Sequence, residues 1–390
     1  MTGNWDKINN IVIGLRGLTT IGISDIIGSG IGVIFWFYMA ALLGAQHYGE
    51  IAYFISIASI ASTISLLGTE NVISVYVPKK IKLESTIYLL TIVIGMISAL
   101  ILFFMFSEIG ISVYVLGVII VGLGGTEILA KRSYNSYAKY LITQKILMTV
   151  LAIGLYHIMG VNGVILGLGL SFFPYLIRIY KGFREVKIDF ALLKPRTSFM
   201  INSYILNLSG TFTGSIDKLI IVPLVGFVLL GNYHLGIQFI SLLGIIPAIV
   251  YKYILPRDAG GLSNKKLKHA TVILSIGLSF LGIVISPIII PLMFPEYKEA
   301  IEIIQIMSIS VIPSTINLMY VSKFLATEKN RIVLISSGIH IAILITFILL
   351  LGEIYGINGI AFALVLAISI ESVYYYIVSR ILWKNGDYAS

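Results

Sequence analysis

Long apolar segments separated by short polar stretches cover almost the whole chain. A helix needs roughly 20 apolar residues to cross a membrane, and twelve segments meet this requirement. The pattern therefore predicts an all-α integral membrane protein with twelve transmembrane helices, numbered as spans 1 to 12. Their predicted bounds are 18–43, 49–77, 86–106, 109–130, 141–159, 162–178, 199–223, 231–252, 270–290, 300–322, 332–351 and 358–380.

Composition and charge fix the expected topology. Only 12% of the residues are charged, against roughly 25% in a soluble protein, and there is no cysteine for disulfide or thiol chemistry. All but Lys218 and Lys298 of the 27 Lys and Arg residues lie in alternate loops or at their helix ends, with Lys145 assigned to the end of span 5. We expect a multi-pass protein of a prokaryotic plasma membrane, and the positive-inside rule predicts that both of its termini lie in the cytoplasm.

The predicted topology accounts for the net charge of +9, so we expect no nucleic-acid partner. We keep membrane lipids as expected partners. None of the predicted outer loops exceeds about ten residues, which leaves no room for an outer catalytic domain. The chain also has no Walker sequence, metal-spaced cluster or nucleophile elbow. We therefore expect no enzyme activity and no cofactor.

An internal repeat relates the two halves of the chain. KYLITQK at 139–145 resembles KFLATEK at 323–329, and GVNGV at 160–164 resembles GINGI at 356–360. Six spans per copy predict two parallel six-helix lobes, residues 1–190 (spans 1–6) and residues 191–390 (spans 7–12). The two motifs start 21 residues apart in the first half and 33 in the second. This difference predicts that span 5 lacks twelve residues, so that it must recruit residues 139–145, thin the bilayer or be defective.

Polar residues form a stripe along span 7, and a shift of 182 residues places a similar stripe on span 1. A charged side chain at a helix centre costs roughly 2.5–3.5 kcal/mol in a bilayer, so such groups face protein or water. The stripe could line a substrate cavity, or its glycines could pack against a helix of the same lobe. The candidate cavity residues are Ser203, Asn207, Thr211, Asp217 and Lys218 on span 7, and Asp25, Ser29 and Trp36 on span 1.

Lys218 has two possible roles. Its ammonium could contact phosphate oxygens of a lipid carrier, or it could form a buried ion pair with an acid on a neighbouring helix. We do not expect Asp217 to be that acid, because adjacent helical residues point about 100° apart.

Two further sets of groups could bind a coupling ion. Asp25 and Glu70 lie at similar depth in spans 1 and 2, and His340 and Glu371 lie at similar depth in spans 11 and 12. Each set could share a proton or bind a cation. Alternatively, the acids could form hydrogen bonds that only hold helices together.

The segments LLGAQHYGEIAYF after span 1 and SIDKLIIVPLVGFVLLGNY in spans 7 and 8 contain a glycine pair in each copy, Gly44 with Gly49 and Gly226 with Gly231. With the twelve spans, they resemble the polysaccharide and oligosaccharide flippases of the multidrug/oligosaccharidyl-lipid/polysaccharide (MOP) exporter superfamily. The resemblance implies a MATE-like, MOP-type transporter fold with V-shaped lobes and alternating access.

We therefore expect a flippase for a polyprenyl-linked oligosaccharide, whose partners are a lipid-linked sugar and proteins of surface glycan assembly. Two alternatives stay open. One is a cation-coupled multidrug extruder of the same superfamily, and the other is a membrane glycan polymerase or ligase.

Overall fold

The computed structural model describes residues 2–261 and 264–383, and for residues 2–18 and 383 it describes the backbone alone. This part of the chain is helical and contains no strand. Two short 3-10 turns, Phe173–Tyr175 and Lys194–Arg196, interrupt the α-helices. The helices are α1 (Thr2–Leu66), α2 (Thr69–Tyr76), α3 (Glu84–Phe106), α4 (Ile109–Ala130), α5 (Tyr134–Met159), α6 (Val161–Leu170), α7 (Leu176–Glu185), α8 (Phe190–Leu193), α9 (Thr197–Leu243), α10 (Ile245–Ala259), α11 (Lys265–Met293), α12 (Ala300–Ser308), α13 (Val311–Ala326) and α14 (Asn330–Trp383).

The prediction of twelve spans is confirmed within the described residues. Eight helical stretches are long and apolar enough to cross a membrane, and the bent pair α12 and α13 forms another. Three of the eight, Thr19–Leu66, Phe190–Leu243 and Asn330–Leu382, have 48, 54 and 53 residues. At 1.5 Å per residue each is long enough for two crossings of a hydrocarbon core of about 30 Å.

A single glycine joins the two spans in each of these long helices. Gly44, Gly226 and Gly356 have φ values of 69°, 83° and 58° with ψ values of 172°, 177° and −139°. Such backbone angles are open to glycine and strained for other residues. The predicted outer loops at these places are thus helix apart from a kink.

The kinks also show the internal repeat in the backbone. Gly44 and Gly226 have nearly the same angles, and so do Gly160 (φ 65°, ψ −143°) and Gly356 (φ 58°, ψ −139°). Arg132 and Glu328, which precede α5 and α14, share φ values of 55° and 59°. The second half of the first copy is therefore related to the second half of the second copy by a shift of 196 residues.

Span 5 is not shortened, so that prediction is wrong. Helix α5 runs for 26 residues before Gly160, which is about 39 Å at 1.5 Å per residue. KYLITQK lies inside α5, whereas KFLATEK covers the end of α13 and the turn after it. The two heptapeptides are therefore not structurally equivalent. Because α5 begins at Tyr134, it takes in residues 139–145, as one of the options had required.

Four spans are broken within the membrane region. Span 2 breaks at Leu67 and Gly68, span 6 at the Phe173–Tyr175 turn, span 8 at Gly244 and span 10 between α12 and α13, which are bent by 41°. Prolines accompany three of the breaks, at Pro174, Pro247 and Pro313. Because proline removes a backbone donor and clashes with the preceding turn, it favours such breaks.

The chain divides into two compact units. Unit 1 contains Met1–Phe35 and Ile57–Thr211, and unit 2 contains Trp36–Ser56 and Phe212–Ser390. The limits of the units therefore fall inside α1 and α9. The core of unit 2 includes Ile221, Leu230, Met307 and Leu344. The division into lobes at residue 190, which follows the sequence repeat, stays a prediction.

Candidate functional site

Spans 1 and 5 pack along a seam in unit 1. Tyr137 donates a hydrogen bond of 3.0 Å to Asp25 Oδ1. One turn further along span 1, a Cβ at Gly28 would lie 3.4 Å from the side chain of Leu141. The first copy of the polar stripe thus contacts a helix of its own unit, as expected if the glycines serve packing. Ser29, on the same span, is exposed.

The last contact of this seam involves Lys145, which the sequence analysis had placed at the end of span 5. The structure places it near the middle of α5, so the prediction that Lys218 is the one deeply embedded cation is wrong. A Cβ at Gly32 would lie 3.8 Å from Lys145 Nζ. The misplacement followed from starting span 5 at residue 141 instead of Tyr134.

Spans 2 and 7 form a second polar group in unit 1. Asn207 Nδ2 lies 3.4 Å from Glu70 Oε2, and Asn71 Nδ2 donates to Asn207 Oδ1 at 3.3 Å. About one turn further along span 7, the hydroxyls of Thr63 and Thr211 are 2.9 Å apart. All five side chains are half-buried. Neither Thr63 nor Asn71 was among the candidates predicted from the sequence.

Ser203, the remaining candidate on this part of span 7, is buried. The break in span 2 explains its position, because a Cβ at Gly68 would lie 2.4 Å from the backbone nitrogen of Tyr204 and 2.6 Å from the carbonyl oxygen of Met200. The two backbones are therefore in direct contact at Gly68.

Asp25 and Glu70 have different partners. Asp25 is bound by Tyr137 of span 5, whereas Glu70 lies beside Asn207 of span 7. Asn71 is bonded to Asn207 rather than to either acid. Whether the two carboxylates share a proton stays a prediction.

Asp217 and Lys218 form a buried ion pair in unit 2, which corrects the expectation that they would not pair. Lys218 Nζ lies 3.0 Å from Asp217 Oδ1 and donates to the carbonyl oxygen of Gly214 at 2.8 Å. Tyr233 of span 8 donates to Asp217 Oδ2 at 2.9 Å. The two Cβ atoms do point apart, but the four-carbon stem of the lysine folds back and carries its ammonium to the adjacent carboxylate.

Trp36 belongs to an aromatic cluster in the same unit. Its ring contacts Tyr48 and His234 edge to face, each at a centroid distance of 6.2 Å. The hydroxyl of Tyr48 and Nδ1 of His234 are buried with no hydrogen-bond partner in the described part of the chain. Tyr48, Tyr233 and His234 were not predicted from the sequence. A tyrosine in an apolar segment gives no distinguishing signal, whereas His234 is polar and could have been found in the same way as His340.

The second glycine of each motif, Gly49 in one and Gly231 in the other, lies at a close helix crossing in unit 2. A Cβ at Gly49 would lie 2.0 Å from the carbonyl oxygen of Phe227, and a Cβ at Gly231 would lie 1.8 Å from that of Ala45. The two contacts are reciprocal, which is what a repeat predicts for equivalent residues. These glycines therefore serve packing.

His340 and Glu371 are paired, as their similar depth had suggested. His340 Nδ1 lies 3.2 Å from Glu371 Oε2, which also accepts from Asn317 at 3.2 Å. Ser336 donates to Glu371 Oε1 at 2.6 Å. Both oxygens of this carboxylate are thus satisfied by spans 10 and 11.

No family model and no curated protein sequence matches the chain, but several solved structures do. The first is the inward-facing conformation of a multidrug resistance MATE family transporter of the MOP superfamily, with 13% identity, a TM-score of 0.72 and coverage of 95% of this chain and 99% of that chain. The second is the lipid II flippase MurJ in an inward closed conformation, with 14% identity, a TM-score of 0.75 and coverage of 92% and 87%. A Vibrio cholerae MATE transporter mutant matches with 14% identity, a TM-score of 0.58 and coverage of 95% and 96%. The chain therefore has the MATE-like, MOP-type transporter fold.

Proposed function

We propose that this protein is a flippase that moves a polyprenyl-linked oligosaccharide across a prokaryotic plasma membrane by alternating access, with both termini in the cytoplasm. Its product would feed surface polysaccharide or glycan assembly. The fold supports this proposal, because one structure that matches the chain over 92% of its length is a lipid II flippase. Matches to multidrug transporters support the broader role of a transporter.

The polar group on spans 2 and 7 carries the oligosaccharide part of the proposal. Asn71, Asn207, Thr63 and Thr211 are half-buried and supply amides and hydroxyls inside a membrane helix bundle. Sugars present many hydroxyls that both donate and accept hydrogen bonds, so neutral groups of this kind suit them.

We propose the following roles for the other candidates. Ser29 is exposed in span 1 and would contribute a further hydroxyl. Trp36 would offer its ring to an apolar part of the substrate. Asp217 and Lys218 hold spans 7 and 8 together through the hydrogen bond from Tyr233 to Asp217. The ammonium of Lys218 is already bound by Asp217 and by the carbonyl oxygen of Gly214, so we give it no contact with the substrate.

Coupling to an ion is the second part of the mechanism. Among Asp25, Glu70, Glu371 and His340, we favour Glu70. It is half-buried and its contact with Asn207 is long, at 3.4 Å. A carboxylate held so loosely can exchange this contact for a proton or a sodium ion.

Flipping is tested with purified protein in liposomes that contain a fluorescent polyprenyl-pyrophosphate oligosaccharide, using a membrane-impermeant quencher. We expect the wild-type protein to make all of the labelled lipid accessible to the quencher by exchange between the two leaflets. The double variant Asn71→Ala/Asn207→Ala should slow this exchange roughly ten-fold or more, as the loss of two hydrogen bonds would. Thr346→Ala is the matched control, because Thr346 is exposed and bonds only its own helix at Ala342.

Two results would reject the proposal. One is the absence of exchange with folded wild-type protein. The other is uptake of a cationic dye against a gradient with no flipping of the labelled lipid, which would favour the multidrug alternative.

A further inference from the structure

Lys145 is a cation within the membrane region to which the proposed function gives no role. It lies eleven residues after Tyr134, the first residue of α5, which corresponds to about 16 Å along the helix. A lysine side chain extends only about 6 Å, so its ammonium cannot reach the loop at the start of the helix. A charged group at this depth is expensive and is expected to have a function.

The packing of α5 directs Lys145 toward span 1. The neighbouring Gln144 is buried and donates to Ser171 Oγ of span 6 at 3.0 Å, and Met148 and Ala152 are buried on the same face. Lys145 points about 100° away from Gln144 around the helix axis. Its Nζ therefore lies over Gly32.

Nothing in the described part of the chain neutralises this ammonium. Lys145 Nζ has no hydrogen bond and no ion pair to the residues that the structure describes. The acid on the same seam is Asp25, which is bound by Tyr137. Tyr137 precedes Lys145 by eight residues, or about 12 Å of helix. Lys145 is half-buried rather than enclosed, so a ligand can approach it.

We propose that Lys145 binds the phosphate or pyrophosphate group of the lipid-linked substrate, with Gly32 leaving the space that the anion occupies. This inference rests on the proposed function. An ammonium is a compact charge with three donors, which suits phosphate oxygens. The surrounding membrane region has a low dielectric constant, so a charge-assisted bond there is stronger than in water. The anion would also neutralise Lys145.

Binding is measured directly on protein in phosphatidylcholine nanodiscs, with geranylgeranyl pyrophosphate and the neutral alcohol geranylgeraniol as probes. We expect the wild-type protein to prefer the pyrophosphate, and Lys145→Gln to weaken its binding by roughly ten- to one-hundred-fold, the range for loss of a charged hydrogen bond. Lys145→Arg keeps the charge and should retain most of the affinity. Lys139→Gln is the matched control, because Lys139 is exposed on the same helix.

The variants should fold, since replacing Lys145 removes no hydrogen bond or ion pair to the residues that the structure describes. Displacement of the probe by inorganic pyrophosphate would support an anion site. Equal displacement by phosphatidylglycerol would overturn the assignment, because the site would then take any anionic lipid. So would equal binding by wild type and Lys145→Gln, or equal loss in Lys145→Gln and Lys145→Arg. Flipping is scored separately, so a wild-type protein that binds but does not flip would reject the proposed function and not this site.

Discussion

Two lysines lie deep in the membrane region, and their surroundings give them opposite properties. Lys218 is 7% exposed and its ammonium is used by Asp217 and by the carbonyl oxygen of Gly214. Lys145 is half-buried over a glycine and has no such partners within the described residues. The ion pair compensates the loss of hydration of the Lys218 ammonium, whereas we propose that a bound anion does so for Lys145. The residue type alone therefore does not determine the role.

Removal of one member of the Asp217–Lys218 pair should destabilise the protein. Lys218→Ala leaves the carboxylate of Asp217 buried without its cation, and the remaining donors are the Tyr233 hydroxyl and the backbone nitrogen of residue 218. Such a change costs about 3–5 kcal/mol. We expect a lower thermal unfolding temperature in detergent. The double variant Asp217→Asn/Lys218→Met leaves no buried charge and should recover most of the loss. A double variant as unstable as Lys218→Ala would contradict this account.

Glu70 and Glu371 should respond differently to neutralisation. Both oxygens of Glu371 accept hydrogen bonds within unit 2, whereas among the described residues Glu70 has one long hydrogen-bond contact, to Asn207. We expect Glu70→Gln to remove the dependence of flipping on a proton or sodium gradient, and Glu371→Gln to lower the unfolding temperature while the gradient dependence persists. Flipping is measured in liposomes with and without each gradient. A gradient dependence unchanged in Glu70→Gln would exclude Glu70 as the coupling group.

At the scale of helices, glycines determine where the chain bends and where helices touch. The sequence repeat pointed to Gly44, Gly49, Gly226 and Gly231, and the structure gives the equivalent glycines of the two copies the same physical role. Gly44 and Gly226 adopt a positive φ at a kink, and Gly49 and Gly231 allow two backbones into contact. The repeated glycines could thus be recognised from the sequence. Their separate roles could not, because these roles depend on contacts between distant parts of the chain.

Alanine at the crossing glycines should disrupt the packing of unit 2. The added Cβ at Gly49 or Gly231 would meet a carbonyl oxygen at 2.0 or 1.8 Å, so the helices must separate. Overpacking of this kind costs about 1–3 kcal/mol or more. We expect Gly49→Ala and Gly231→Ala each to lower the unfolding temperature in detergent. Gly277→Ala is the control, because a Cβ at this helical position meets nothing within 4 Å. Equal stability of all three variants would refute the crossing.

The element that sequence reasoning placed least well is span 5. Its residues 134–140, YNSYAKY, are polar enough to be taken for a loop, and a chance match of seven residues supported that choice. The structure continues the helix through them because Tyr137 bonds Asp25 and Tyr140 contacts Tyr175. These tertiary contacts hold a segment helical that hydropathy alone would leave out. The error concealed the position of Lys145.

For the whole molecule, the twelve spans and the fold could be predicted from the sequence, because hydropathy is averaged over some 20 residues per helix. The polar sites could be predicted only in part. Asn207, Thr211, Glu70, Glu371 and His340 stand out as polar residues in apolar segments. Tyr233 binds Asp217 and Tyr137 binds Asp25. These two tyrosines do not stand out, since tyrosine is common in membrane helices.

The orientation of the molecule decides the direction in which a lipid-linked sugar would be moved, and the distribution of charge predicts it. Lys298 lies in a loop that the topology prediction places outside, and Ser133 lies in the turn between α4 and α5 beside Lys131 and Arg132. Both are exposed, and the chain has no cysteine of its own. Single cysteines at these positions therefore report on topology without background. We expect a membrane-impermeant maleimide to label Lys298→Cys in intact cells, and Ser133→Cys only after permeabilisation. The opposite pattern would reverse the assigned orientation, and with it the side from which the substrate is taken.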